Sequence, residues 1–362
     1  MKLRTIPTYY GGFDPGTGRA GLTLVSADGV SLENDTMTID SIVATGSAEK
    51  LLKRGDIHAT VAEVLREDEC LITFNSTDYF LCDLVKEGKN PTNAVADPAR
   101  YWGDHARVLL LALACTLIPE RTFVLRLVTA LPVTLYDRDN RKRMKEALSD
   151  YYRFEYNGRI REVYVSVGYV AMEGQGALIH CGAQDGEQAL LDIGERTVDV
   201  IAADGQKLMI SLCGGNEELG IGQITDAVKT LAQRYGRQLP APHIHDILWA
   251  WARNETLPVV RTSQGTIPEN EIASTIEKAR ITLAKGMVSF ASSLWNVEGE
   301  AVGERFDQIY IAGGGAHYVG DLLKKMFPRV EIPVDPEDAN IRGYLDLACS
   351  LEDKVPGIWE VD

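Results

Sequence analysis

The sequence has no CxxC pair. Its six cysteines (70, 82, 115, 181, 213 and 349) offer neither a zinc site nor a readable disulfide framework, and a reducing cytosol is the simplest setting for them. It also lacks basic charge. With a formal net charge of −15 it does not read as a chain that grips nucleic acid or an anionic membrane directly, since both need a basic face. Long hydrophobic runs are missing too: the longest, residues 108–118, falls far short of the ~20 residues of a membrane span and reads as a buried helix. The first seven residues have no signal-peptide core, and no GxxxxGK[ST] phosphate loop occurs. A cytoplasmic protein is expected. The apolar share of 45% over 362 residues is enough for two domains or one large one.

What the chain does contain is a pair of similar hairpins. In Leu190-Leu191-Asp192-Ile193-Gly194-Glu195-Arg196-Thr197-Val198-Asp199-Val200 an apolar run meets a carboxylate, turns on a glycine and resumes as an alternating strand. Such a tip suits a phosphate and its metal ion, because glycine lets backbone N–H groups come close and the carboxylate can hold hydrated Mg2+. From one stretch alone, an ordinary hairpin with a solvated tip reads equally well. Phe13-Asp14-Pro15-Gly16-Thr17-Gly18 repeats the order, with an alternating strand at Leu22-Thr23-Leu24-Val25 behind it. Two such hairpins could close on a nucleotide from both sides. Residues 16–21 also fit GxGxxG, but that fingerprint needs a helix to begin in the glycines, and a strand follows here, so a Rossmann unit is rejected.

In chain order, Ala27-Asp28-Gly29 predicts a turn before a short strand at Val30-Ser31-Leu32. Residues 36–93 are short-ranged, with strands expected at 40–43 and 70–74, a short helix at 59–66 and a loop at 88–93, and they read as an insertion outside the core. A central helix is expected over 101–117, a buried strand over 123–132, and a basic amphipathic helix over 139–151 with Met144, Leu148 and Tyr151 on one side. The strictly alternating strand 161–172 empties into Glu173-Gly174-Gln175-Gly176. There Glu173 could sit where water attacks a terminal phosphate, or be an exposed turn residue. Beyond the second hairpin, a strand is expected over 207–213, a helix carrying Leu219, Ile224, Val228 and Leu231, a break at Pro240 to Pro242, and a long helix over 268–294. His243 and His245 have no third ligand nearby and read as surface or capping residues. The strand 308–312 runs into Gly313-Gly314-Gly315 and a helix over 319–326, a junction with room for a ribose or base.

Taken together the pieces resemble the actin, Hsp70 and sugar-kinase superfamily over nearly the whole chain, and within it the actin-like proteins of the plasmid-segregation ParM/StbA type. The resemblance rests on Val128-Thr129-Ala130-Leu131-Pro132-Val133, on Met172-Glu173-Gly174-Gln175-Gly176-Ala177, on Asp192 to Asp199, and on Ala339-Asn340-Ile341-Arg342-Gly343-Tyr344. It implies an α/β, actin-like (ribonuclease H-like) two-domain fold with the nucleotide cleft between domains, each domain a five-stranded sheet with helices. Domain I would comprise residues 1–170, with the insertion at about 33–97 and a C-terminal return at 334–362, and domain II residues 171–333.

Carried over position by position, the resemblance makes Asp14, Gly16, Thr17 and Gly18 the first phosphate loop, and Asp192, Gly194 and Thr197 the second. Asp14 and Asp192 would hold Mg2+ through waters, Glu173 would orient the attacking water, and Gly313, Gly314 and Gly315 would form the adenosine loop. Two departures stand out. Gly21 occupies the place where many relatives carry a lysine, leaving Arg19 to substitute, and Glu195-Arg196 replaces the common glycine pair, bringing Arg196 within reach of phosphate or of a salt bridge. The implied function is an ATPase, using ATP or GTP with Mg2+, that assembles with itself into filaments and serves plasmid segregation or a cytoskeleton. A DNA-bound adaptor would be its partner, with no direct contact to nucleic acid or membrane. A small-molecule kinase of the same superfamily and a non-polymerising nucleotide-binding scaffold are the alternatives.

Overall fold

The computed structural model describes residues 6–30, 32–56, 58–94, 97–182, 186–205, 207–263, 265–295 and 301–354. The chain divides into two units, residues 1–180 with 340–362 and residues 181–339.

Unit 1 is built on a ten-stranded sheet. Its first hairpin, β1 (Thr8–Asp14) and β2 (Arg19–Ser26), pairs antiparallel with Asp14 opposite Gly21. The neighbour of β2 is β3 (Thr36–Asp40), which tucks Ile39 into the core. Of the strand expected at residues 30–32, Val30 and Leu32 are not in a strand, Val30 being 61% exposed, and Ser31 lies outside the described residues. Next come β4 (Val43–Thr45), the short α1 (Ala48–Leu51), and α2 (Val61–Val64), a single turn closed by a Thr60–Glu63 capping box where a longer helix was expected. β5 (Glu69–Phe74), β6 (Thr77–Cys82) and β7 (Lys89–Thr92) complete the segment. The last of these was expected as loop. It is a fully exposed sheet edge, the one place where Pro91 removes no needed ladder bond.

The centre of the sheet is parallel: β8 (Thr122–Leu131) lies between β1 and β10 (Arg159–Met172), and β9 (Asp150–Tyr156) pairs with β10 as a hairpin. Both faces are covered. Phe123, Leu125 and Leu127 share a core with α3 (Asp104–Leu117), while Val128 and Ala130 pack with Tyr344 and Ala348 of the C-terminal helix (Ala339–Lys354). Helix α4 (Arg138–Leu148) buries Met144 and Leu148 but ends before Tyr151, which lies on β9, 44% exposed, with its ring 4.8 Å from that of Tyr164. The free edge of β9 takes up β5, and β6, β4 and β7 continue the sheet. Residues 33–97 therefore enlarge the expected five strands to ten; Ile39, Val43, Cys70, Ile72 and Leu81 join the main core, while Ala44, Leu51, Leu71, Phe80 and Leu84 form a smaller cluster of their own. After β10 the chain turns into α5 (Gln175–His180).

Unit 2 repeats the plan on six strands. The second hairpin, β11 (Glu187–Ile193) with β12 (Val198–Asp204), forms as expected. β13 (Lys207–Leu208) is only two residues long, because the chain turns at Ile210–Leu212 and offers the Leu212 carbonyl to Trp295 Nε1 at 3.0 Å. β14 (Gly214–Asn216) pairs with β12, and α6 (Gly222–Arg234) buries Ile224, Val228 and Leu231. Pro240 and Pro242 open α7 (Ala241–Ala252) instead of breaking the chain, since the first turn of a helix needs no N–H from them. A two-stranded ribbon, β15 (Arg261–Thr262) and β16 (Gly265–Thr266), precedes the long α8 (Glu269–Trp295), with Ile272, Ile276 and Leu283 buried. β17 (Gln308–Ala312) runs parallel to β11, α9 (Ala316–Met326) follows, and β18 (Val330–Glu331) closes the sheet. The strand order β2-β1-β8-β10 of unit 1 thus recurs in unit 2 as β12-β11-β17-β18, with a hairpin loop at the same place in each.

Candidate functional site

The first loop hangs from its carbonyls. Ser41 donates from Oγ to the Gly16 carbonyl at 2.5 Å and from its amide to the Gly18 carbonyl at 3.0 Å. Arg100 donates from Nη2 to the Pro15 carbonyl at 3.1 Å and to the Gly16 carbonyl at 3.0 Å. With these acceptors taken, the amides of Thr17 and Gly18 have no acceptor among the described residues, which is the arrangement an anion-binding backbone nest needs. Gly16 is required here, because a Cβ would lie 2.5 Å from the Arg19 carbonyl. Asp14 ends β1, and Arg19 opens β2 on the exposed side. Beneath the loop, His105 is pushed down to about 4 by burial and then by the Arg100 charge, so the imidazole stays neutral. Burial also lowers the pKa of the Arg100 guanidinium, while Tyr101, Glu173 and Asp14 raise it.

Glu173 lies where β8 and β10 end together, its amide donating to the Leu131 carbonyl at 2.8 Å. It is half-buried, which sets aside the reading of a solvated turn residue. Its turn is clamped from two sides. The Gln175 side chain accepts from the Met172 amide at 3.3 Å, and the buried Asn340 Oδ1 accepts from Gly174 N at 3.2 Å and Ala177 N at 3.1 Å. The C-terminal helix can come this close only because Gly343 has no side chain, as a Cβ there would fall 1.8 Å from the Gly176 carbonyl. The Ala339-to-Tyr344 motif is therefore a brace for the Glu173 turn.

The second loop is built the same way with backbone donors. The carbonyls of Ile193, Gly194 and Glu195 accept from the amides of Gly315, Ile221 and Gly222 at 2.8, 3.2 and 2.7 Å. The amides of Glu195, Arg196 and Thr197 have no acceptor among the described residues. Asp192, 7% exposed, is the penultimate residue of β11 and lies directly opposite Asp199, 2% exposed, so two carboxylates share one sheet face at this loop. The glycine turn packs on this loop. Gly313 has φ +78°, its amide donates to the Pro336 carbonyl at 2.8 Å, and a Cβ on it would lie 2.4 Å from Asp192 Oδ1. Gly314 has nothing within 4 Å of where a Cβ would stand, leaving backbone open to a ligand. Arg196 is exposed at the loop tip.

The structure thus gathers Asp14, Gly16, Thr17, Gly18 and Glu173 in unit 1, and Asp192, Gly194, Thr197 and the three glycines in unit 2. The carboxylates at the two loops are hard oxygen donors of the kind Mg2+ takes. Among the described residues no group of three or more His, Cys, Asp or Glu could hold a metal by itself, and Mg2+ usually binds through one or two carboxylates, waters and phosphate oxygens. Sequence reasoning missed Ser41, Arg100, His105 and Asn340. Their signals are short and local, such as the Asp97 side chain that caps the turn Pro98–Tyr101 at 2.9 Å and aims Arg100 inward. Nothing around Arg100 names the loop 85 positions away that it supports.

Two α/β units with the same strand order, each with a glycine-bearing hairpin loop after its first strand, make an actin-like fold, and the chain belongs to the actin-like proteins. Residues 31–176 match the family of actin-like proteins, N-terminal domain, and residues 190–325 match the archaeal actin homologue, MreB-like C-terminal domain. Among solved structures, an archaeal actin homologue in complex with ADP is similar with a TM-score of 0.69 and 19% identity, over 95% of this chain and 99% of that one. ParM from Bacillus thuringiensis with AMPPNP gives 0.68 and 14% over 96% and 99%. ParM in a 15-stranded filament from Clostridium botulinum gives 0.67 and 20% over 95% and 99%. No curated protein sequence matches.

Proposed function

We propose that this actin-like protein is a Mg-ATP-dependent, self-assembling ATPase of the ParM type. The observation that carries the reading is the shared construction of the two loops, in which every bonded carbonyl is held from behind and a run of amides is left for an anion beside a strand-end aspartate. The first loop (Asp14, Gly16, Thr17, Gly18) and the second (Asp192, Gly194, Thr197) take the phosphates, Asp14 and Asp192 hold Mg2+, and Gly313 to Gly315 take the nucleoside. Glu173 orients the water that attacks the γ-phosphate, a role that needs a braced turn more than a shifted pKa. Nucleotide in the archaeal homologue and in Bacillus thuringiensis ParM, and the filament of Clostridium botulinum ParM, support the nucleotide and the polymer respectively. A net charge of −15 suits segregation through a DNA-bound adaptor in the cytoplasm better than direct DNA contact. Light scattering with phosphate release on one sample tests this: both should rise with Mg-ATP and stay flat with ATP plus chelator. Phosphate release without scattering refutes the polymer, and a flat response in both refutes the ATPase.

A further inference from the structure

Arg100 is 2% exposed, yet only one of its three guanidinium nitrogens is satisfied: Nη2 holds the Pro15 and Gly16 carbonyls, while Nε and Nη1 are buried with no partner. An arginine does not give up its proton, so this is a fixed positive charge sealed beneath the first loop. A buried charge with empty donors is destabilising unless an opposite charge compensates it. Tyr101, whose ring centroid lies 5.2 Å from the guanidinium carbon, Glu173 at the end of β10 and Asp14 at the loop act on it electrostatically and so compensate part of it. His105, which also packs here with Nε2 unpartnered, is neutral, so it neither shares nor screens the charge. Meanwhile, at the loop, β2 places Gly21 and not a cation opposite Asp14. Arg19, its nearest basic residue in sequence, is exposed to water.

We infer that Arg100 is the cation of the first phosphate loop, a buried guanidinium that fixes the loop through the Pro15 and Gly16 carbonyls and whose charge is further compensated when a polyphosphate anion occupies the site. This rests on the nucleotide reading above. It makes Arg100 a positioning residue whose charge also favours the more highly charged ligand. ATP should gain more from it than ADP, because a fixed charge attracts each added phosphate charge while a purely structural brace does not distinguish them.

The test compares Arg100→Gln, which keeps an N–H donor for the carbonyls and removes the charge, with Arg100→Lys, which keeps the charge. Binding of Mg-ATP, Mg-ADP and magnesium tripolyphosphate is measured for each, with Arg19→Ala alongside. Arg100→Gln should weaken Mg-ATP about tenfold or more and Mg-ADP clearly less, and Arg100→Lys should keep the wild-type ATP-to-ADP ratio. Equal losses for both nucleotides, or a larger loss in Arg19→Ala, would overturn the inference. Should Arg100→Gln not fold, Arg100→Lys still decides, because a collapsed ratio with the charge retained also overturns it. Wild-type protein that binds tripolyphosphate but neither nucleotide would refute the nucleotide reading alone, and the loss of tripolyphosphate affinity in Arg100→Gln would then decide Arg100. Wild-type protein that binds none of the three overturns both.

Discussion

Replacing Asn340 by alanine should loosen the Glu173 turn, and its cost can be worked from the contacts. The Asn340 side chain is 6% exposed, and its Oδ1 accepts from the amides of Gly174 and Ala177. Alanine removes the acceptor and leaves two buried amides unmet, each costing about 1–3 kcal/mol. Water cannot easily replace it, because the helix backbone sits against Gly176 with no room for a Cβ between them. The sum is about 2–6 kcal/mol from the stability of unit 1, a large part of the total for a domain. Asn340→Asp keeps an acceptor in the same place and should lose less. The assay is urea unfolding of the full chain, wild type against both variants, followed by phosphate release under conditions where all remain folded. Phosphate release should fall in Asn340→Ala more than Mg-ATP affinity does, since Glu173 and not the phosphate loops is what moves. A stability change under about 0.5 kcal/mol, the usual range of a surface substitution, would refute the bracing role.

Three further outcomes are expected. Asp192→Ala should weaken Mg-nucleotide affinity about tenfold or more by removing a charged tether for the ion, read with a fluorescent ATP analogue in Mg2+ and in chelator, and unchanged affinity would exclude the second hairpin as a phosphate loop. Glu173→Ala should cut phosphate release by roughly 100-fold while Mg-ATP affinity and the scattering rise persist, so that any filaments last longer. Normal release would move the role to Gln175. His105 should make the wild type acid-sensitive: its folded pKa of about 4 lies below the unfolded value near 6.5, so the unfolded chain binds the proton first and stability falls by up to about 3 kcal/mol as pH drops through that window. Unfolding free energies between pH 6.5 and 4.5 should therefore decline less in His105→Asn, and parallel profiles would show that the imidazole is not held neutral.

The elements legible in the sequence were those whose signal is local. The alternation around Asp14 and Asp192, the glycine after each, the long apolar helix and the triple glycine are all patterns within about a dozen residues, and each formed where expected. Residues 33–97 read only as an insertion because their strands are short and half-polar, and part of the segment joins the main core while part forms its own cluster. What ties the former part to the core is an edge of β9 that no local pattern reveals. Tyr151 failed for a related reason: helical spacing fits it, but the Asn157-Gly158 turn demands a β9 partner for β10, and hairpin pairing outcompetes one more helical residue.

The sequence by itself determined which strands would carry a carboxylate at the tip and where glycine would let the backbone approach a ligand, because strand periodicity and Cβ sterics act between near neighbours. Tertiary structure alone decided which way the loops present their amides. Ser41 and Arg100 had to be carried 25 and about 85 positions to reach the carbonyls of residues 15–18, and Asn340 had to arrive 166 positions after Gly174. Hydrogen-bond partners at such separations are chosen by the packing of sheet and helix, with the Gly343–Gly176 approach as the closest fit, and that packing is a property of the whole folded unit, beyond any stretch of it.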